Sequence, residues 1–363
     1  MTWSWTLFRY LARQFIVGVG SVYAGFLFLA LSLDIVGLAD RTAAKHVPTA
    51  IVIGMSLLQL PDLGLNLLPF AVLLGGVFAF VRLSRSHELI AIRAAGVSAW
   101  DLLAPSLVVA VALGVFTVLA LTPLTSRMLV QYSEMEAKYV RGQASQLAIS
   151  RNGLWLRQGD LHSQSVIHAL RVSNQGLRLE DVIVFRYGPN DKFLGRIDAH
   201  SAVLETGAWT MRDAWVSGPE GKAIHHPVYS FATTLTPSQI QESFASPSTI
   251  SFWDLPYFIA TARKAGFSAV RYVLYFDSLL VMPALFAAMV FMAASFSLRL
   301  ARMGGLLRVI LYSALAGFGV YFFGNVTEAL GESGILPTAL AASAPAAAAI
   351  LLGMTLVFHQ EDG

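Results

Sequence analysis

Hydrophobic residues occur along this chain in six long runs, divided into two groups of three by a polar middle. The runs cover 14–33, 63–81 and 102–121 before the middle, and 273–298, 306–324 and 336–358 after it. Each run has about the 20 residues that a helix needs to cross the hydrocarbon core of a bilayer. The pattern therefore predicts six transmembrane helices in a three plus three arrangement.

The ends of the first two runs indicate how each of them crosses the membrane. The first is longer than the core of a cleavable signal peptide and is not followed by a small-residue cleavage site, so we expect it to remain as a membrane span. The second is preceded by "IVIGMSLLQLPD", and the combined run is too long for one crossing. We therefore expect Pro61 and Asp62 to mark the outer interface, with 48–60 on or above the membrane.

The polar middle, about 125–249, alternates in hydrophobicity or forms short β-rich pieces between turn clusters. Three pieces stand out at 181–187, 192–205 and 208–216, separated by "GPND" and "ETG". "GLWLR" and "SVIHALRV" precede them, and "HHPVYSFATTL" follows. This pattern predicts a sandwich or roll of about 110 residues.

The predicted fold class is a membrane α-helical bundle of six transmembrane helices with an inserted all-β, jellyroll-like domain. Helical connectors, "SRMLVQYSEMEAKYVRG" and "SFWDLPYFIATARKAG", are expected on either side of the β domain. We divide the chain into 1–124 with spans one to three, 125–253 with the β domain and its connector, and 254–363 with a connector helix and spans four to six.

Composition agrees with a membrane protein. Of 363 residues, 56% are hydrophobic and 13% are charged, whereas soluble domains have roughly 25% charged residues. The formal net charge of +3 is too small for a nucleic-acid binding surface. Cysteine is absent, which excludes disulfides and thiolate metal sites.

Basic residues favour one side of the predicted bundle. The short loops on that side and the N-terminus carry Arg9, Arg13, Arg82, Arg85, Arg93, Arg299, Arg302 and Arg308. The loops on the other side carry Arg41 and Lys45, together with Glu328 and Glu332. The positive-inside rule then predicts that both termini are cytoplasmic and that the β domain lies on the outer side of the membrane.

A charged stretch, "VRLSRSHELIAIRAAGVSAWDLL" at 81–103, separates spans two and three. A short helix at about 84–95 would have a charged face and a small, uncharged face. The first face would carry Arg85, Glu88, Leu89, Ile92 and Arg93, and the second, set against the bundle, Ile90, Ala91, Ala94 and Val97. Gly96 is expected to end this helix in the left-handed conformation, and Ser98 to cap the next one. The charged face suits a cytosolic partner, although an ordinary positive-inside anchor is the alternative.

The segment "NLLPFAVLLGGVFAFVRLSRSHELIAIRAAGVS" resembles the signature region of the YjgP/YjgQ permease family. In that family a second span that contains proline leads into an "SEL...R..G.S" helix, matched here by Ser86, Leu89, Arg93, Gly96 and Ser98. "NGLWLRQGD", "TTLTPSQI" and "MAASFSLRL" extend the resemblance over nearly the whole chain, and are more similar to one of the two branches of the family than to the other.

The resemblance implies a permease subunit of an ATP-driven lipopolysaccharide exporter. Such a subunit would pair with the related permease LptF, bind a dimer of the ATPase LptB, and lie beside the single-span protein LptC. It would take lipopolysaccharide from the outer leaflet of the inner membrane to a periplasmic bridge. No GxxxxGK[ST] phosphate loop occurs in this chain, so ATP hydrolysis is expected in LptB, and no cofactor or enzymatic activity is expected here.

The resemblance also implies two groups of functional residues. The residues expected to couple the permease to the ATPase are Arg85, Glu88, Leu89, Ile92, Arg93 and Gly96. Those expected to contact lipid are Phe26, Leu29, Leu33, Arg41, Lys45, Tyr321 and Phe322. The family has a cluster of basic residues at the outer end of span one, where this chain has only Arg41 and Lys45. These two could contact phosphate or be ordinary solvated charges.

Two other classes of function are weighed against this one. A permease of another lipid or lipoprotein ABC transporter could share a large external domain and a coupling helix, but such permeases usually have four spans. An integral-membrane enzyme would need a nucleophile with a base or a ligand cluster inside the membrane, and the sequence offers neither. His225 and His226 do not suggest a metal site, because adjacent residues of a strand point to opposite faces.

Overall fold

The structure is a computed structural model, and it describes residues 5–361 with several gaps. The gaps are 46, 87, 95, 142–146, 151–152, 160–163, 174–177, 189–191, 206, 220, 234–245, 265–267 and 301–305. Of the helices described, six are long and apolar enough to cross a membrane, three before the β strands and three after them. The predicted three plus three arrangement is confirmed.

The first group of helices covers the N-terminal part of the chain. It comprises α1 (Trp5–Thr42), α2 (Thr49–Arg85), the short α3 (Glu88–Ala94), α4 (Ala99–Phe116) and α5 (Thr122–Glu136), with π-helical turns at Thr117–Leu121 and Ala137–Arg141. The π-helical turn between α4 and α5 makes them one continuous helical segment. The second group comprises α6 (Leu255–Lys264), α7 (Val270–Leu300), α8 (Leu306–Glu332) and α9 (Thr338–Glu361). The helical connectors predicted on both sides of the β region are thus present as α5 and α6.

Helix α2 is longer than the predicted span. It has 37 residues and includes Pro61 and Pro69 without interruption. At a rise of 1.5 Å per residue its length is about 55 Å, well beyond a hydrocarbon core of about 30 Å. The residues around 48–60 therefore do not form a separate segment, because they continue the helix of span two.

The chain folds into two compact units, one formed by 1–140 with 248–253 and 273–363, and the other by 141–247 with 254–272. The main core of the first unit is built from α1, α2, α4 and α7, and includes Phe15, Leu73, Leu103, Phe286 and Val290. A second cluster joins the end of α1 to the start of α2 and to α5, through Leu38, Val52, Met55, Leu129 and Tyr132. Both clusters place α2 against α1.

Glycine allows α1 and α2 to approach each other closely. A Cβ atom on Gly75 would lie 2.4 Å from the Cα atom of Val19, and one on Gly18 would lie 2.5 Å from the carbonyl oxygen of Gly75. Contacts this short leave no room for a side chain. Small residues serve the same purpose in membrane helix pairs generally. Apolar side chains gain little by leaving lipid tails for protein, so the helices associate through close packing of their backbones.

The second unit contains an antiparallel sheet of seven described strands in chain order. These are β1 (Leu147–Ser150), β2 (Gly153–Gly159), β3 (Gln164–Ser173), β4 (Arg178–Tyr187), β5 (Phe193–Glu205), β6 (Ala208–Ser217) and β7 (Ala223–Ala232). The predicted fold class, a membrane bundle with an inserted β domain, is confirmed. Neighbouring described strands of the sheet are consecutive in sequence, so they form a meander.

Alternation along the strands gives the sheet two different faces. One face is buried and carries Leu154, Ile167, Val184, Ile197 and Trp209. The other carries a row of residues paired across neighbouring strands, Trp155, His168, Ile183, Asp198, Trp215 and His225. Because side chains alternate with a period of two, the pattern of one strand fixes which of its residues belong to the core.

The glycine contact between α1 and α2 predicts a position-specific loss of stability. Gly75→Ala should separate the two helices and lower the free energy of unfolding by about 1–3 kcal/mol, the usual effect of overpacking. Gly54→Ala is the matched control on the same helix, since no atom lies within 4 Å of its added Cβ. Thermal denaturation of the purified protein in mild detergent measures both, and equal melting temperatures for the two variants would contradict the prediction.

Candidate coupling and lipid-contact sites

Gly96 and Ser98 shape the turn between α3 and α4. Gly96 has φ of 82°, a left-handed conformation that costs glycine little, and the N–H of Val97 donates to the carbonyl oxygen of Ile92 at 3.4 Å. The Ser98 hydroxyl accepts from the backbone N–H of Asp101 at 3.1 Å and caps α4. The predicted left-handed glycine and the predicted serine cap are both confirmed, and they set the turn that returns the chain to the bundle.

The orientation of α3 differs from the helical-wheel prediction. Ile92 is half-buried and packs against the main core, whereas Ala91 and Ala94 are exposed. The assignment of Ile92 to the outward face, and of the two alanines to the face against the bundle, is therefore wrong. Burying an isoleucine side chain contributes more than burying a methyl group, so the helix turns Ile92 inward. The side chains of Leu89 and Arg93, and that of Ile90, are outside the described part of the structure.

Glu88 at the start of α3 is tied to α1. The hydroxyl of Tyr10 donates a hydrogen bond of 2.7 Å to Oε2 of Glu88, and Nε2 of Gln14 donates to the Tyr10 oxygen at 3.2 Å. Arg85, in the last turn of α2, is exposed. The Tyr10 contact was not foreseen, because the two residues are 78 positions apart and no local pattern in the sequence pairs them.

Helix α1 carries three of the residues predicted to contact lipid. Leu29 and Leu33 are 56% and 65% exposed, whereas Phe26 is half-buried. The exposed stripe instead continues through Phe28 and Val36, which sequence reasoning missed. A sequence-based wheel shows which residues share a face but not which face turns away from α2, so Phe26 was included in a stripe that it only borders.

Helix α8 carries two aromatic residues of this group. Tyr321 and Phe322 are exposed, and the ring of Tyr321 lies 5.7 Å from the ring of Phe70 on α2. Helix α2 packs against both α1 and α8. The predicted lipid-contact residues are thus divided between two helices that both flank α2, each of which exposes apolar side chains.

The two basic residues near the end of α1 have different surroundings. Arg41 lies in the last turn of α1 and is exposed. Lys45, in the short 3₁₀ turn that follows, donates a hydrogen bond from Nζ to the carbonyl oxygen of Val140. Lys45 therefore connects the C-terminal end of α1 to the end of the segment that follows α5, whereas Arg41 is exposed.

Histidines of the sheet pair with carboxylates rather than with each other. Nε2 of His225 lies 2.5 Å from Oδ1 of Asp213, and Nδ1 of His200 lies 3.8 Å from Oδ1 of Asp181. Within the described ranges, no group of three His, Asp or Glu residues has a geometry suited to a metal ion. The functional candidates of this chain thus remain α3 and the apolar faces of α1 and α8.

Six apolar helices interrupted by a β sheet define a multi-pass membrane protein with an inserted β domain. The chain belongs to the LptF/LptG family: residues 9–358 match the family described as lipopolysaccharide export system permease LptF/LptG. No curated protein matches the chain. The resemblance to the YjgP/YjgQ permeases is confirmed.

Family membership establishes the general role of the protein. It is a permease subunit of the lipopolysaccharide export system, an ABC transporter that includes other Lpt components, and it resides in the inner membrane as a multi-pass protein. The family is one of transporter membrane subunits, which accords with the expectation that the chain is not itself an enzyme.

The different surroundings of Arg41 and Lys45 predict separable effects. Lys45→Glu should lower the free energy of unfolding by about 1 kcal/mol through loss of its hydrogen bond, whereas Arg41→Glu should leave the melting temperature unchanged. Arg41→Glu should instead reduce the lipopolysaccharide that copurifies by about fivefold, because a basic residue near an anionic surface contributes about 1 kcal/mol. Thermal denaturation measures the first effect and lipid mass spectrometry the second. Equal melting temperatures and equal amounts of bound lipopolysaccharide in the two variants would contradict the prediction.

Proposed function

We propose that the chain is the LptG-type permease of an ATP-driven exporter. In this role it takes lipopolysaccharide from the outer leaflet of the inner membrane and passes it to a periplasmic bridge. Family membership supports export of this lipid, and the resemblance of "NGLWLRQGD", "TTLTPSQI" and "MAASFSLRL" to the LptG branch favours LptG over LptF.

The observation that carries the proposal is the division of exposed apolar side chains between α1 and α8. Leu29 and Leu33 on α1, and Tyr321 and Phe322 on α8, all face away from the core of the same chain. A lipid site between span one of one permease and span five of another would use both faces and would need a second subunit. We therefore propose LptF as the partner that completes the site, with LptC beside the pair.

The distribution of basic residues supports the orientation of the complex. We propose that both termini and α3 lie in the cytoplasm and that the β unit lies in the periplasm, because the arginine-rich loops then follow the positive-inside rule. In this orientation α3 meets an LptB dimer, which supplies ATP hydrolysis. The β unit, with its buried apolar face, then lies on the side of the membrane where the lipid must be handed over.

The structure of α3 suggests how its residues divide this task. Glu88 starts the helix and is half-buried, whereas Ala91 and Ala94 are exposed and allow a partner to approach the backbone closely. Ile92 then acts as an anchor to the bundle rather than as a contact for LptB. Arg85, Leu89, Arg93 and Gly96 complete the proposed coupling region.

The lipid path would follow the exposed stripes on α1 and α8. Exposure to water would cost the acyl chains about 0.8 kcal/mol per CH₂ group, and the apolar stripes give them a surface to contact without that exposure. Arg41 and Lys45 lie at the end of α1 that would face the phosphates. Of these two, Arg41 is the better candidate for phosphate contact, since Lys45 already binds the Val140 carbonyl.

Copurification tests the proposal directly. The chain is expressed with its predicted partners, extracted in mild detergent, and its bound proteins and lipids are identified by mass spectrometry. We expect a second permease, an ATPase dimer and lipopolysaccharide. Recovery of a different lipid or of a lipoprotein would instead support a permease of another ABC transporter.

Photocrosslinking tests the lipid path. A photoreactive residue at Leu29 or Leu33 should capture lipopolysaccharide in the assembled complex several times more efficiently than one at Val108, which is 55% exposed on α4 and is the matched control. Capture is measured on gels with an antibody against the lipid. Equal capture at all three positions would mean that the stripe on α1 is ordinary lipid-facing surface.

Charge reversal tests the role of α3. Glu88→Arg should leave the protein inserted and abundant but should abolish retention of LptB or the release of lipid, because like charges at a partly buried interface cost a few kcal/mol. Leu89→Ala should weaken the same interaction by removing an aliphatic contact. Glu134→Arg, an exposed residue of α5, is the matched charge reversal and should retain LptB. If the Glu88→Arg complex exports lipid at the wild-type rate, α3 does not couple to the ATPase through Glu88 and serves only as a positive-inside anchor.

A further inference from the structure

We propose that Tyr10 is a positioning residue that holds the Glu88 carboxylate of α3 against α1, so that displacement of α3 is passed directly to the first span. The inference rests on the proposed function of α3 as the helix that meets the ATPase. It adds a mechanical connection between that helix and the lipid-contact stripe of α1, and this connection is one side-chain hydrogen bond.

The hydrogen bond has a defined direction. Nε2 of Gln14 donates to the Tyr10 oxygen at 3.2 Å, and the Tyr10 hydroxyl has one proton, which it donates to Oε2 of Glu88 at 2.7 Å. Gln14 and Tyr10 are four positions apart and therefore share a face of α1. The hydroxyl is thus oriented from its own helix, and its bond to an ionised acceptor is of the stronger kind.

Among the side chains of α3 that the structure describes, Glu88 and Ile92 make contacts of different chemistry with the bundle. Glu88 binds Tyr10 at the start of the helix, and Ile92, one turn later, packs against the core cluster that Leu7 of α1 also joins. The apolar contact resists separation but tolerates sliding, whereas a hydrogen bond requires one relative position of its two atoms. Tyr10 therefore fixes the position of α3 along and around α1.

The bond also sets what Glu88 presents to a partner. With Oε2 bound to Tyr10, the direction of the Oε1 atom is determined, and this second oxygen can accept a cationic side chain from the ATPase. A single carboxylate would then join α1 on one side and the ATPase on the other. Without the tyrosine hydroxyl the carboxylate can rotate. The ATPase would then remain bound to α3, but a movement of the ATPase would displace α1 less.

The position of Tyr10 on α1 suits transmission over a distance. The close contact of Gly18 with Gly75 lies about 12 Å along the helix from Tyr10, and Leu29 lies about 16 Å beyond that contact, at 1.5 Å per residue. The backbones touch at Gly18, and Leu38, beyond Leu33, packs against the start of α2. Because α1 is one continuous helix held against α2 at both places, a displacement at Tyr10 is passed along its axis to Leu29 and Leu33.

The test uses the assembled complex with its ATPase and compares Tyr10→Phe with wild type. The variant loses only the hydroxyl, and we expect it to retain the ATPase but to release about fivefold less lipopolysaccharide per ATP hydrolysed, the change expected from the loss of one hydrogen bond. Tyr257→Phe, which removes a hydroxyl from an exposed tyrosine of α6, is the control and should match wild type. An unchanged lipid-to-ATP ratio in Tyr10→Phe would overturn the proposal.

A second comparison shows whether Tyr10 acts through Glu88. In a Glu88→Ala background, Tyr10→Phe should cause no further fall in lipid released per ATP, because the acceptor is already absent. A further fivefold fall there, or a Tyr10→Phe complex that loses assembly and transport in parallel, would show that the tyrosine has a merely structural role. Failure of the wild-type complex to bind an ATPase or release lipopolysaccharide would instead contradict the proposed function.

Discussion

The close contact between α1 and α2 at Gly18 and Gly75 is the constraint on which the arrangement of the bundle depends. Within a bilayer, apolar side chains gain little by leaving lipid for protein, so helices associate through close packing. Here the two backbones touch because neither glycine has a side chain. The contact places α2 in the middle of the bundle, where 67% of its most apolar stretch is buried, whereas only 11% of that of α1 is buried.

This imbalance has a functional consequence. Because α1 packs mainly against α2, much of its surface stays exposed, and that surface carries Leu29 and Leu33 in one half and Tyr10 in the other. One helix thus connects the proposed lipid contact with the helix proposed to meet the ATPase. In the proposed function, the ATPase and the lipid need no long chain of intermediates, since one helix of 38 residues extends from the Glu88 contact to the lipid-contact stripe.

Much of the architecture was predictable from the sequence. The six apolar runs could only be membrane helices, because no other isolated segment satisfies its backbone hydrogen bonds in lipid. The strands at 178–187, 193–205 and 208–217 matched alternation with a period of two, and Gly96 and Ser98 were correctly assigned to the ends of neighbouring helices. Each of these features depends on short-range chemistry, which is complete within a few residues of the chain.

Tertiary structure alone decided how the helices face one another. The wheel for α3 grouped Ile92 with Glu88 on a charged face, but it could not show that Ile92 packs against the core and that Glu88 binds Tyr10 of α1. Phe26 was likewise placed in a stripe that the structure centres elsewhere on α1. The pairing of Tyr10 with Glu88 joins residues far apart in the chain. Periodicity determines which side chains share a face, whereas the direction of that face depends on packing against partners that are distant in sequence.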